Sequence, residues 1–313
     1  MNIIVAGEGA FGARHLEALS AIPDVTVAAL AGGSAAGAKA LAERFGIARW
    51  TLDLGEALAL PGVEAAILAT PTPIHAAQAI TCLEAGKHVA VEIPLADTLT
   101  DAERVAEAAR ASGLIAMVGH TRRFNPSHQW VHRRLRSGAL RLLQMDVQTY
   151  FLRRTNQNAL GEPRSWTDHL LWHHAAHSID LFQHQTGDAA PLAQALQGPI
   201  HGELGIAMDL AIQMKAASGA LGVVSLSFNN DGPFGSVFRY ICDGGTFVAR
   251  YDDLTDGHGR PIDLSEIDGS TNGIERQDRE FLAAIREGRE PDASVFQVLP
   301  AYRTLDRLER TLR

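Results

Sequence analysis

Cysteine is scarce. Cys82 and Cys242 are the two in 313 residues, and neither belongs to a CxxC pair. That excludes a zinc ribbon and a disulfide framework and fits a reducing cytoplasm. No uncharged apolar run reaches the roughly 20 residues a membrane helix needs. The opening stretch MNIIVAGEGAFG has no basic region followed by a signal-type apolar segment. A basic surplus is lacking too: the net charge is −8, which argues against nonspecific binding to nucleic acid or to an anionic membrane. No internal repeat or low-complexity tract occurs. The expectation is a soluble cytoplasmic protein that meets small molecules, with no nucleic acid and no membrane among its partners.

What is present is an ordinary globular composition, 46% apolar and 20% charged, on a chain long enough for two domains. The first 120 residues alternate short apolar runs with helical patterns. The runs IIVAG, VTVAALAG, AAILATP, HVAVEIP and LIAMVGH end in Gly, Pro or a polar residue. Between them lie AFGARHLEALSAI, AAGAKALAERFG, LGEALAL, PIHAAQAITCLEAG and TDAERVAEAARASG, three of which stop at glycine. Strand–helix alternation with near-continuous apolar strands predicts an α/β domain over 1–120, its parallel sheet covered on both faces.

After His120 the texture changes, and 121–313 reads as a second domain. RFNPSHQWVHRRLRSG is amphipathic and basic, LRLLQMDVQTYFLRR reads as a long strand, and SWTDHLLWHHAAHSIDLFQHQTG as a long helix. Extended stretches follow, with DGG dividing FRYICDGGTFVARY into a hairpin. The expected second domain is α/β with an open, largely antiparallel sheet. DLTDGHGRPIDLSEIDGSTNG is one long polar loop, and two helices close the chain.

The run Gly7-Glu-Gly9-Ala10-Phe11-Gly12 follows the first strand directly and opens the first helix. Gly7 permits the tight turn, Gly9 lets backbone approach a pyrophosphate, and Gly12 lets helix and strand pack closely. The helix start offers its N–H groups to phosphate. This context reads as a dinucleotide-binding Rossmann domain. NAD-preferring sites place an acid at the end of the second strand, roughly 20 residues on. Here that place holds Ala31-Gly-Gly-Ser34, with no acid and with Lys39 the nearest base. No carboxylate repels a 2′-phosphate, and Ser34 can donate to it, so the reading is NADP, with NAD as the alternative.

The glycine loop, the stretch ILATPTPIHAAQAITCLEAGKHVAVEIPLA and VGHTRRFNP together resemble the glucose-fructose oxidoreductase/inositol dehydrogenase family over nearly the whole chain. The resemblance implies a Rossmann domain followed by an open-sheet α/β domain, and hydride transfer on a sugar-like or hydroxy substrate. It places Thr70, Pro71, Thr72, His75, Glu92 and Ile93 along the cofactor, and the HSID helix over the nicotinamide. Two departures stand out. The family commonly has Glu-Lys-Pro, whose lysine assists proton transfer, where this chain has Glu92-Ile93-Pro94. The family often has Asp-x-x-x-His in the catalytic helix, where this chain has His173-x-x-x-His177.

Longer runs, among them EIPLAD, GEPRSWTDHLLWHHAAHSIDLF and RYICDGGTFVARYDD, resemble one branch of that family more narrowly. That branch oxidises the cyclic hemiacetal of 4-carboxy-2-hydroxymuconate-6-semialdehyde to 2-pyrone-4,6-dicarboxylate with NADP, in protocatechuate 4,5-cleavage. A dicarboxylate substrate needs cations, and Arg122, Arg123, Arg153, Arg154 and Arg164 precede the histidine helix. Oxidation of a hemiacetal needs one base, and histidine changes charge near neutral pH. His173 and His177, four apart, share a helix face, with Asp180 three residues beyond. The reading makes His177 the base, Asp180 its orienting carboxylate and His173 a substrate ligand or proton partner, with His174 turned away towards substrate. Trp166 packs the core or borders the nicotinamide. His-x-x-x-His can ligate zinc, but no HExxH and no cysteine pair support it, so no metal is expected. An open sheet needs a covered face, which predicts a homodimer or homotetramer. The alternatives are a sugar or inositol dehydrogenase and a nonenzymatic NADP-binding regulator.

Overall fold

The computed structural model describes residues 1–157, 161, 163–164, 166–267 and 272–312. Two runs quoted above fall partly outside these residues: GEPRSW at 162 and 165, and the polar stretch 253–273 at 268–271. The chain divides into two compact units, Met1–His120 with Ile274–Leu299, and Thr121–Gly273 with Pro300–Arg313.

In the first unit six parallel strands are β1 Asn2–Ala6, β2 Thr26–Ala31, β3 Trp50–Thr51, β4 Val63–Leu68, β5 His88–Val91 and β6 Ala116–Val118. Their order is β3-β2-β1-β4-β5-β6. Order reverses beside β1, the point where a doubly wound sheet opens a crevice for ligand. Ile3, Ile4, Val5, Leu30, Ile67, Leu68 and Val89 are fully buried, as continuous apolar strands covered on both faces require. The crossovers are α1 Ala10–Ser20, α2 Ala35–Arg44, α3 Leu54–Leu58, α4 His75–Glu84 and α5 Leu99–Ser112. Local signals set the ends of α5: the Thr98 hydroxyl accepts from Asp101 N–H, and Gly113 terminates the helix at φ 67°. The five apolar runs became β1, β2, β4, β5 and β6. Strand β3 has two residues, too short to show any alternation.

The segment 274–299 packs with the first unit, although a division after His120 leaves it in the second. The reason is polar as well as apolar. Asp278, on α8 (Gly273–Glu287), meets His15 of α1 at 2.9 Å, and Val118 N–H donates to Ala293 O at 2.9 Å.

The second unit holds α6 Pro126–Arg136, α7 Ala176–Thr186, most of α9 (Val295–Leu312) and a seven-stranded sheet. Its strands are β7 Leu142–Tyr150, β8 Leu192–Gln197, β9 Asp209–Lys215, β10 Leu221–Ser227, β11 Gly235–Cys242, β12 Gly245–Arg250 and β13 Asp253–Asp256, in the order β13-β12-β11-β7-β10-β9-β8. Every pairing is antiparallel except β7 with β10. The DGG hairpin joins β11 to β12, with Cys242 opposite Gly245. Burial alternates along β9, where Leu210, Ile212 and Met214 point inward. Trp172, Phe182, Phe238, Tyr240 and Tyr302 are fully buried in the core.

Candidate functional site

The glycine loop has the shape its spacing predicts. Gly7 sits at φ 114°, and a Cβ there would lie 2.3 Å from Ala69 O. A Cβ on Gly12 would lie 1.9 Å from Gly7 O, so the loop closes only on glycine. Gly9 differs: no atom lies within 4 Å of its hypothetical Cβ. It also caps α1 without any side-chain bond. Gly9, Ala10 and Phe11 are exposed, and Phe11 carries the Arg14 guanidinium over its ring. An uncapped helix start with open space before it fits a pyrophosphate, by its N–H groups and its dipole.

At the end of β2, Ser34 caps α2 by accepting from Gly37 N–H at 3.2 Å. Lys39 points along α2 to Glu43, 3.8 Å away. A carboxylate does reach this corner, from elsewhere in the chain. Glu8 accepts from Gly33 N–H and Ser34 N–H, each at 2.8 Å. No linear search for an acid after the second strand finds it, because it belongs to the glycine loop.

Thr70, Pro71 and Thr72 form the turn that leads into α4, and Thr70 Oγ1 donates to Gln78 Oε1 at 2.6 Å. His75 is buried, with its two ring nitrogens 2.7 Å from Thr70 O and Pro94 O. Burial lowers its pKa, against the pull of those two carbonyls. His75 therefore clamps the Thr70 turn to the half-buried Ile93 and the cis Ile93–Pro94 bond. Glu92 is buried and accepts from Gln277 at 3.3 Å, with His15 Nε2 at 3.1 Å. His15 thus lies between two carboxylates, Glu92 and Asp278. Burial alone would lower its pKa, but Asp278 and then Glu92 overcome that and push it up to about 10. The same imidazolium holds Glu92 below the usual carboxylate range despite its burial. His15 and the adjacent pair Gln277 and Asp278 escape a motif search because 263 residues separate His15 from Asp278.

In the second unit the histidine helix opens on a π-helical turn, Leu170–Ala175, that passes into α7. Such turns recur at functional sites, because they re-aim side chains out of the regular helical stripe. His173 is buried, and its Nδ1 accepts from His169 N–H at 3.3 Å. A neutral ring held this way carries its proton on Nε2. Trp166 stacks on His173 with centroids 5.4 Å apart. His177, on α7, is half-buried.

The arginines divide into three groups. Arg123 is buried, and its Nε and Nη2 donate to the two Asp180 oxygens at 2.8 and 2.6 Å. Asp180 is thus an internal counter-ion to Arg123, and Arg123 is not a solvent-facing cation. Arg153 and Arg164 converge on Asp168, with Arg153 Nη2 at 2.8 Å and Arg164 Nη1 at 2.6 Å. His174 Nε2 joins them at 3.3 Å from Asp168. Burial alone would raise the Asp168 carboxyl, but His174 and Arg153 hold it far below the usual range. Asp168 was not anticipated from sequence. The remaining two differ: Arg154 is exposed and bonds Arg153 O and Asn229 Oδ1, while Arg122 is half-buried and lies over the rings of Tyr251 and Phe238. Among the described residues no group of three His, Cys, Asp or Glu side chains could hold a metal ion.

A Rossmann unit with a phosphate-ready glycine loop, followed by an open-sheet unit, defines a class of nicotinamide-dependent oxidoreductases. Residues 1–120 match the oxidoreductase family with an NAD-binding Rossmann fold, and residues 126–268 match the C-terminal region of bacterial oxidoreductases. The 4-carboxy-2-hydroxymuconate-6-semialdehyde dehydrogenase of Sphingobium sp. (strain SYK-6) is 59% identical over 99% of this chain and 98% of its own. The inositol 2-dehydrogenase of Streptomyces avermitilis is 26% identical over 92% of this chain and 85% of its own. Among solved structures, levoglucosan dehydrogenase with NADH and L-sorbose superimposes with a TM-score of 0.86 at 22% identity, covering 99% of this chain and 96% of that one. The chain belongs to the glucose-fructose oxidoreductase/inositol dehydrogenase family. No described helix is long and apolar enough to cross a membrane.

Proposed function

We propose that this protein oxidises the cyclic hemiacetal of 4-carboxy-2-hydroxymuconate-6-semialdehyde to 2-pyrone-4,6-dicarboxylate, with NADP or NAD as hydride acceptor, in protocatechuate 4,5-cleavage. The observation that carries the reading is the end-to-end likeness to the Sphingobium dehydrogenase. The cation-rich cluster on Asp168 supports it, since a dicarboxylate needs such a receptor. The first unit takes the cofactor on Gly7, Gly9, Ala10, Phe11, Gly12 and Ser34, with Thr70, Pro71, Thr72 and Ile93 lining it and His75 and Glu92 bracing that lining. The second unit takes the substrate. The two buried thiols, Cys82 and Cys242, suit a reducing cytoplasm.

When bound, the nicotinamide supplies the hydride acceptor. The chain's own part is proton handling and orientation. His177 takes the hemiacetal hydroxyl proton, while hydride leaves the same carbon. His173, its ring fixed by His169 N–H and by Trp166, offers Nε2–H to a substrate oxygen. The Arg123–Asp180 pair positions α7, and with it His177. Arg153, Arg164 and His174 face a single carboxylate, so an incoming carboxylate restores the balance there. Arg154 and Arg122 are the candidates for the second carboxylate. Ile93 cannot act as the family's lysine does, which leaves the base to the helix.

Self-association, as a homodimer or homotetramer, is part of the proposal. Register places Leu192, Leu196, Leu221 and Val223 on one outward face of the second sheet, and Leu192 and Leu196 are 75% and 78% exposed.

One assay tests the reading. The purified protein is given the ring-fission semialdehyde, then inositol or a sugar, each with NADP and with NAD, and reduced nicotinamide is followed by absorbance. The semialdehyde should turn over. Turnover of inositol alone would move the protein to the alternative dehydrogenase reading. NADP binding without turnover of any substrate would make it a regulator.

A further inference from the structure

We infer that Glu8, inside the glycine loop, is the residue that sets the balance between NAD and NADP. The inference rests on the dinucleotide-binding reading of the first unit. Its starting point is a contradiction between sequence and structure. The end of β2 has no acid, yet a carboxylate stands there. Glu8 Oε2 accepts from Gly33 N–H and Oε1 from Ser34 N–H, both at 2.8 Å. These donors lie at the start of α2, which runs from Ala35 to Arg44. The backbone leaves room for the visiting side chain. A Cβ on Gly37 would sit 2.9 Å from Glu8 Cγ, and one on Gly33 would sit 3.5 Å from Oε1. Glycine at position 37 lets residue 8 reach across, while a Cβ at Gly33 would make only an ordinary contact.

Two properties follow from that placement. First, a carboxylate receiving two N–H groups still has lone pairs to spare, and can accept from the vicinal hydroxyls of an unphosphorylated ribose. Glu8 thereby stands in for the acid that strand β2 does not carry. Second, a 2′-phosphate is an anion seeking the donors that Glu8 already holds. It must displace the carboxylate from Gly33 and Ser34 and then tolerate the charge nearby. Glu8 in place favours NAD, and Glu8 displaced admits NADP. The Ser34 hydroxyl, which accepts from Gly37 N–H, is a further donor available to the phosphate.

The test uses the full chain and a readout independent of turnover. Binding of ADP and of 2′,5′-ADP is measured by calorimetry for wild type, Glu8→Gln and Glu8→Ala. Both variants should bind 2′,5′-ADP roughly tenfold or more tightly relative to ADP, the worth of one charge-assisted bond. The ratio of kcat/KM for NADP over NAD should rise in step. Glu8→Gln keeps the side-chain volume, so a folding defect in Glu8→Ala would leave the glutamine variant to decide. If both ratios stay at wild-type values in a folded variant, Glu8 is a loop brace and the inference fails. If wild type binds neither nucleotide, the dinucleotide-binding reading itself falls.

Discussion

The two units each bury a cluster of charge, and the clusters have opposite balance. In the first, one imidazolium, His15, serves two carboxylates, Asp278 and Glu92, and all three are buried. In the second, one carboxylate, Asp168, serves Arg153, Arg164 and His174. The side chains of those three basic residues stay 16–20% exposed. The first cluster is closed, and its charges are spent on holding α1, β5 and α8 together. The second is half open and carries more cation than its carboxylate can balance. A closed ion cluster serves architecture, and a half-open one can still answer to a ligand.

The largest effect should come from the second unit's helix. His177→Asn is expected to lower kcat by roughly 10²–10⁴, the usual worth of a positioned general base. His173→Asn should act more on KM, since that ring orients and does not abstract. Steady-state kinetics on the semialdehyde would reverse the assignment if His173→Asn lost kcat and His177→Asn kept it.

Next in size is a stability effect inside the same unit. Arg123→Met strands the buried Asp180 carboxylate and should destabilise the fold by about 3–5 kcal/mol. Urea unfolding measures this. A variant as stable as wild type, with a raised substrate KM, would move Arg123 to the open class of arginines.

The closed cluster can be broken by pH. The folded His15 pKa, about 10, lies above the ordinary histidine value of 6.5. Its stabilising contribution is therefore complete below pH 6.5 and is lost as pH rises towards 10. Denaturant midpoints between pH 6 and 10 should fall for wild type and fall less for His15→Asn. Parallel curves would mean that the imidazole is neutral in the fold.

The mildest effect should come from the half-open cluster. Arg164→Met removes one of two arginines on Asp168, so the other can compensate in part. Substrate KM should rise by up to roughly the factor that corresponds to 1.5–3 kcal/mol, with the ADP dissociation constant unchanged. A shift in ADP binding instead would contradict the separation of cofactor and substrate chemistry between the units.

The first unit was largely legible because its signals are local. Gly7, Gly9 and Gly12 act through steric limits on their own turn, and five of six strands are long enough to show an apolar run. What sequence could not show was long-range. Glu8 meets Gly33, and His15 meets Asp278, across 25 and 263 residues. In the second unit the helix, the hairpin and the strands up to β12 were legible; β13 lies in the stretch read as a polar loop, and the π-helical turn was missed because no composition rule separates it from an α-turn. Asp168 and the Arg123–Asp180 pair were missed for a related reason. Charge pairing is a property of the folded chain, and a list of arginines does not say which are already engaged.

The return of 274–299 to the first unit bears on how the protein is made. At a synthesis rate of roughly 5–20 residues per second, the ribosome needs about eight to thirty seconds to travel from the end of β6 to α8. Throughout that interval His15 and Glu92 have emerged without Asp278. The first unit therefore cannot finish until Leu299 has been made, and the second still needs Pro300–Arg313 after that. The first must wait, partly assembled, until most of its neighbour has been delivered.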